Sequence, residues 1–235
     1  MFQRTDAFGK DYIIIPTTAH VAPAQAIDYE KAFQLALIAT MREIEDKRIQ
    51  YVLIGHNNGN APHKAASPFD QRSYYTFGGH VAGSSIDHPH LRVASMAFLP
   101  PTVKEFYNSS ESIPPKAYQI MTDGTTTIYA DPMPDHTGGL IVISDTPNIT
   151  ELGLDGIKGL ATMVQFAQVL IDETLGYPPT TGYSIQSFDR SSGFMAFKLV
   201  PRTSVPAFLE LGTGIKTGYI DPLETARMMR ELISP

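Results

Sequence analysis

The stretch Gly83-Ser84-Ser85-Ile86-Asp87-His88-Pro89-His90-Leu91-Arg92 decides how the rest of the chain is read. Pro89 fixes its own φ and pushes His88 toward extended backbone, and residues two apart in an extended segment point to one side. His88 and His90 are therefore expected on one face. An imidazole is the side chain that serves as a neutral nucleophile near neutral pH. The turn ahead of the pair, Gly83-Ser84-Ser85, offers backbone N–H groups and hydroxyls to an anionic phosphate. On this stretch alone two readings stand side by side: a phosphate-handling nucleophile, or a structural metal pair or two solvated histidines on a loop.

Working outward, Leu91–Met96 reads as a strand leaving the histidines, and Tyr12–Ile15, stopped by Pro16, as a short buried strand. Asp28 is placed to cap a helix on which Phe33, Leu37, Met41 and Ile44 follow helical spacing, running to about Lys47. Tyr51–Ile54 and Ser73–Phe77 read as two more strands. The second half repeats this order. Leu140–Ile143 is a strand, and Ile157, Leu160, Val164, Ala167 and Ile171 mark one apolar face of a helix. Thr181–Ile185 and Phe194–Val200 alternate as half-buried strands, the second ended by Pro201. Between the halves, a hairpin turning at Asp123-Gly124 is flanked by Tyr118–Ile120 and Thr127–Tyr129 and is read as a connector. A last helix, capped by Asp221 with Pro222 at its first position, carries Leu223, Ala226, Met229 and Leu232. The duplicated order predicts an α+β chain of two repeats, residues 1–113 and 114–235, packed into one pseudo-symmetric body of antiparallel sheets and helices.

Composition bounds the function. At 235 residues with 43% hydrophobic and 18% charged side chains, the chain is an ordinary globular one, and no apolar run is long enough to cross a bilayer. A net charge of -6 without any Lys/Arg cluster argues against a nucleic-acid partner and leaves a small phosphorylated ligand compatible. With no cysteine and no basic, apolar leader behind Met1, the expected compartment is the cytoplasm.

Taken together, these residues resemble the galactose-1-phosphate uridylyltransferase branch of the histidine-triad superfamily, which is built from two such α+β repeats. The resemblance covers nearly the whole chain. It is carried by Ala82–Leu91, similar to that family's glycine, serine, then His-Pro-His signature, by Ile15–His20, and by Asn57-Asn58-Gly59. The C-terminal Pro201-Arg202, Leu209–Ile215, Asp221-Pro222 and Ala226-Arg227 look like the end of its second repeat. The resemblance implies a nucleotidyltransferase that takes a nucleotide sugar and a sugar phosphate as partners and forms a homodimer by analogy. The alternatives are a phosphorylase or hydrolase of dinucleoside polyphosphates or nucleotide sugars, and a nucleotide-binding homologue that has lost catalysis, while charge and hydropathy leave no nucleic-acid or membrane partner. In the transferase reading His90 attacks the α-phosphorus. His88 orients the loop or ligates a metal, and Gly83, Ser84, Ser85, Asn57 and Asn58 hold nucleotide and phosphate.

Departures from the family pattern are equally specific. Arg92 stands where the family has a glutamine that binds the nucleotidyl phosphate, so a fork of donors replaces an amide. Cysteine-ligated zinc is not expected, since only His20 and His88 match metal-binding positions; a divalent metal there needs oxygen ligands as well. The second repeat lacks its histidines, with Asn148 at the opening position and Gly193–Lys198 at the closing strand, and reads as structural. Glu105 matches a metal-binding glutamate of that family, but without its histidine partners it reads as a solvated helix residue. An insertion over residues 60–72 reads as a surface excursion or as a lid bearing Lys64 or Arg72. His80, just before the glycine turn, reads as a third site histidine or as a satisfied structural residue, and His56 and His63 have no partner visible in the sequence.

Overall fold

Alternation along Leu91–Met96 builds the centre of the first half. Leu91, Val93 and Ser95 are buried against a helix, whereas Arg92, Ala94 and Met96 turn to the opposite face of the sheet. The structure, a computed structural model, describes residues 8–15, 29–60, 75–77, 90–101, 103–104, 113–132, 134, 137–146, 151–176, 180–185, 195–202 and 220–234. Its strands are β1 (Phe8–Ile14), β2 (Tyr51–Asn60), β3 (Tyr75–Phe77), β4 (Leu91–Met96), β5 (Gln119–Thr122), β6 (Thr126–Ala130), β7 (Leu140–Ser144), β8 (Thr180–Ile185) and β9 (Met195–Pro201). The helices are α1 (Tyr29–Ile44), α2 (Leu154–Leu175) and α3 (Pro222–Ile233).

All nine strands form one sheet in the order β1-β4-β2-β8-β9-β7-β6-β5, with β3 on β2, and every pairing is antiparallel. The expectation of more than one sheet is thereby corrected. The segments before and after residue 113 meet edge to edge at β2 and β8, where His56 lies opposite Gly182 and Asn57 opposite Thr181. Two buried bonds clamp this seam: the Tyr51 hydroxyl donates to the Ser184 carbonyl at 2.5 Å, and the Ile54 N–H donates to Ser184 Oγ at 2.8 Å. The hairpin at Asp123-Gly124 forms as expected but is not a mere connector, because β6 continues the main sheet beside β7. Its turn is held by Asp123 Oδ1, which accepts from the Thr125 and Thr126 N–H groups at 2.8 and 2.7 Å, while Gly124 takes φ +98°.

Helices cover one face of the sheet. On α2 the expected stripe of Ile157, Leu160, Val164, Ala167 and Ile171 is buried, and Gly176 ends the helix in the left-handed region at φ 70°. On α3 Asp221 caps as expected, its Oδ1 accepting from the Leu223 N–H at 2.8 Å, and Ala226 and Met229 face the core. On α1 the buried face is corrected: Phe33 and Leu37 are in the core, but Met41 is 46% exposed. A period of 3.6 reaches residue 40 before 41, and Thr40 takes the inner place by donating its hydroxyl to the Ala36 carbonyl at 2.9 Å. The helix ends at Ile44, short of Lys47, and Asp28 lies outside the described residues. Phe33 of α1 meets Phe197 of β9 edge-on at 5.5 Å, so the two halves share one core.

A charge is buried where α1, β1 and β4 converge. Glu43 accepts from the Tyr12 hydroxyl and from Ser95 Oγ, each at 2.6 Å, with Lys10 Nζ at 3.4 Å. Burial pushes its carboxyl up, but the hydrogen bonds from Ser95, Tyr12 and Lys10 together outweigh that and hold it below its ordinary value. Among the described residues no helix is long and apolar enough to cross a membrane.

Candidate active site

The face of the sheet away from the helices carries a second apolar cluster, Tyr51, Val103, Ile141, Ile143 and Ala196, flanked by Leu53, Met96 and Tyr183. At its β4–β2–β8 end lies a cleft of about 450 Å³. Its floor is Tyr51, Leu53, Ala94, Met96 and Tyr183, and its polar end is His90, Arg92, Asn57 and Thr181. Pleating explains the set. Residues 92, 94 and 96 of β4, 51, 53, 55 and 57 of β2, and 181 and 183 of β8 all fall on this face.

His90 immediately precedes β4, is only 8% exposed, and opens into the cleft. Arg92, two residues on, lines the same cleft and is bridged by Asp11 of β1: its Nε–H lies 3.0 Å from both carboxylate oxygens and an Nη2–H 2.5 Å from Oδ2. The bridge is largely solvent-exposed, with side chains 63% and 34% accessible, so it orients Arg92 more than it stabilises the fold. Asn57 accepts at Oδ1 from the Thr181 hydroxyl at 3.1 Å. Asn58 continues β2 and pairs with Thr180 on one side and Phe77 on the other.

The remaining expected site residues, Gly83, Ser84, Ser85, His88 and His20, lie outside the described residues, as do Lys64, Arg72, His63, His80, Glu105 and Asn148. Among the described residues no group of three His, Cys, Asp or Glu is arranged to hold a metal ion.

Sequence reasoning missed two features. His56, without a partner in the sequence, lies between the cleft residues Gly55 and Asn57 but turns its ring to the helix-covered side of the sheet, where it is buried and stacks on Phe197 with ring centroids 5.7 Å apart. Burial, with a smaller push from His90, lowers its pKa to about 3, so it is a neutral imidazole throughout the physiological range. The second feature is β8. The segment expected to be structural supplies Thr181, Gly182 and Tyr183 to the cleft. The only local signal was alternation, which says that one face is buried and not what it is buried against. The strand expected to have lost its histidines, β9, carries a buried Lys198 instead, paired with Asp131 at 2.7 Å.

This arrangement of one antiparallel sheet with helices on one face is matched by solved structures. The chain superposes with a TM-score of 0.73 on an ADP-glucose phosphorylase from Arabidopsis thaliana with bound ADP-glucose, at 17% identity over 96% of this chain and 74% of that one. It superposes at 0.72 on a galT-like protein from Arabidopsis thaliana, at 17% identity over 94% and 75% of the two chains. A uridylyltransferase matches at 0.75, with 15% identity over 95% and 74%. The chain therefore shares its fold with these galT-like, uridylyltransferase and phosphorylase structures. No family profile and no curated protein matches the sequence.

Proposed function

We propose that the protein is a nucleotidyltransferase that moves a nucleoside monophosphate from a nucleotide sugar to a sugar 1-phosphate through a nucleotidyl-His90 intermediate. The observation that carries this reading is His90 at the polar end of a cleft that also holds Arg92 and Asn57. A ring nitrogen of His90 attacks the α-phosphorus, and the bond to the bridging oxygen breaks as sugar 1-phosphate leaves. In the second step a phosphate oxygen of the incoming sugar 1-phosphate attacks the same phosphorus, and the imidazole leaves as the neutral base. Both displacements spread charge over the equatorial oxygens, and oriented donors lower the barrier most there. Arg92 and Asn57 are the described donors in reach of that region, with Gly83, Ser84, Ser85 and Asn58 completing the phosphate cradle and His88 orienting its loop.

The likeness to an ADP-glucose phosphorylase supports a second reading, in which inorganic phosphate takes the place of the sugar 1-phosphate as acceptor. The first step is common to both. The same reading takes residues 1–113 and 114–235 as two pseudo-symmetric repeats, the second without its own histidine site. It also places the protein in the cytoplasm as a homodimer, in galactose or related sugar-nucleotide metabolism.

Incubation with α-32P-labelled UDP-glucose and ADP-glucose tests the first step. An acid-labile, base-stable labelled protein is expected with one of them, absent in His90→Gly. Adding glucose 1-phosphate, galactose 1-phosphate or phosphate then shows which acceptor discharges it. Absence of label on the parent protein, or equal label on His90→Gly, overturns the reading.

A further inference from the structure

Asn57 and Thr181 come from opposite halves of the chain, yet they sit directly across the β2–β8 pair and both line the cleft. Cross-strand neighbours of this kind share a face, and here the contact is polar: the Thr181 hydroxyl donates to Asn57 Oδ1 at 3.1 Å. A carboxamide has an acceptor end and a donor end, and the two are interchanged by a half-turn of the side chain. Only one orientation suits an anion. With Oδ1 engaged by a hydroxyl hydrogen, the opposite end of the amide is the Nδ2–H pair. The branched Cβ of threonine restricts χ1 and so fixes where the hydroxyl oxygen stands beside Asn57.

We propose that Thr181 is a positioning residue for the phosphate site, fixing Asn57 so that its Nδ2–H donors, and not its carbonyl oxygen, face the bound phosphate. The inference rests on the reading of the cleft as a nucleotide site. It gives the second half of the chain a part in binding although its histidines are gone. A threonine that merely stabilises the sheet would act without regard to Asn57, whereas one that acts through Asn57 has no effect once the carboxamide is removed.

The test is a double-mutant cycle on the affinity of the full chain for UDP and for ADP, measured by calorimetry, with thermal unfolding of each variant alongside. Thr181→Val, which keeps the shape and removes the hydroxyl, is expected to weaken binding about tenfold, the scale of one hydrogen bond to a charged group. Thr181→Ser restores most of that loss. Asn57→Ala weakens binding to a similar extent, and adding Thr181→Val to it changes affinity less than twofold. Parental affinity in Thr181→Val, or an undiminished loss from Thr181→Val in the Asn57→Ala background, overturns the inference. If His90 is labelled by a nucleotide sugar and the cycle is nevertheless additive, the positioning role alone falls. If the parent takes no label and binds neither nucleotide, the nucleotide-site reading falls and this inference with it.

Discussion

Gly182 lies against the ring of His56: a β-carbon at residue 182 would stand 2.7 Å from Cε1 and 2.8 Å from Nε2 of that imidazole, and 2.8 Å from Cε1 of Phe197. Neither ring has room to retreat, since His56 and Phe197 stack on one another and both are buried. Gly182→Ala is therefore expected to cost about 1–3 kcal/mol, the range for overpacking a close-packed interior. Urea unfolding checks it, and an unchanged midpoint would show that the two rings can shift more easily than their packing implies.

His56 links stability to pH. Its ordinary value is 6.5, and burial, with a smaller contribution from His90, lowers it to about 3. Between these values the unfolded chain binds a proton that the folded chain does not. The stabilisation tied to neutral His56 is therefore complete above pH 6.5 and is lost on acidification toward about 3, with a slope approaching ~1.4 kcal/mol per pH unit. His56→Gln lacks that slope. Whatever stability the variant gives up at pH 8 should shrink relative to the parent by pH 5, and a constant difference across that range contradicts the assignment.

Asp172 on α2 works in the opposite sense. Burial raises its pKa to about 7 from 3.8, the hydrogen bond from Gln168 Nε2 at 2.7 Å opposes that rise, and neighbouring Glu173 adds to it. Its favourable contribution is complete below pH 3.8 and is lost as the pH rises through about 7. Asp172→Asn keeps an oxygen for Gln168 and removes the charge. It should stabilise the protein at pH 8 and gain nothing at pH 4, read as the difference in denaturant midpoints at the two pH values.

Arg92 separates two roles. As a phosphate donor it should matter to the chemical step, so Arg92→Ala is expected to lower transfer by about 10²–10³-fold, as removing one oriented donor from developing charge does elsewhere. Arg92→Gln, which restores an amide donor, should retain measurable transfer. Unfolding midpoints should barely change in either variant, because the bridge to Asp11 is solvent-exposed. Single-turnover discharge of labelled protein is the measurement, and transfer by Arg92→Ala at the parental rate removes Arg92 from the site.

Local signals were legible in the sequence, and long-range ones were not. The span Leu91–Met96, the Asp123-Gly124 turn, the buried stripe on α2 and the Asp221 cap each depend on neighbouring residues, and each is found where the residues place it. Met41 falls outside the core because a spacing of three from Leu37 reaches it instead, through Thr40. The neutral state of His56 depends on burial under the packed sheet and on nearby His90, and its space depends on a glycine in the other half; no pattern around residue 56 encodes either. Nor does anything near Thr181 announce that it will face Asn57 across a pairing that closes so late in the chain.

That late closure sets an order of events on the ribosome. The bonds from Tyr51 and Ile54 to Ser184 span separations of 133 and 130 residues. At ordinary elongation rates the first half therefore waits roughly ten seconds for its neighbour, with the β8-facing edge of β2 unprotected. During that interval the cleft has His90 and Arg92 on one side and no opposing wall. Nascent chains stalled before residue 180 are accordingly expected to recruit chaperones and to bind no nucleotide, and both properties should change once Tyr183 has cleared the exit tunnel.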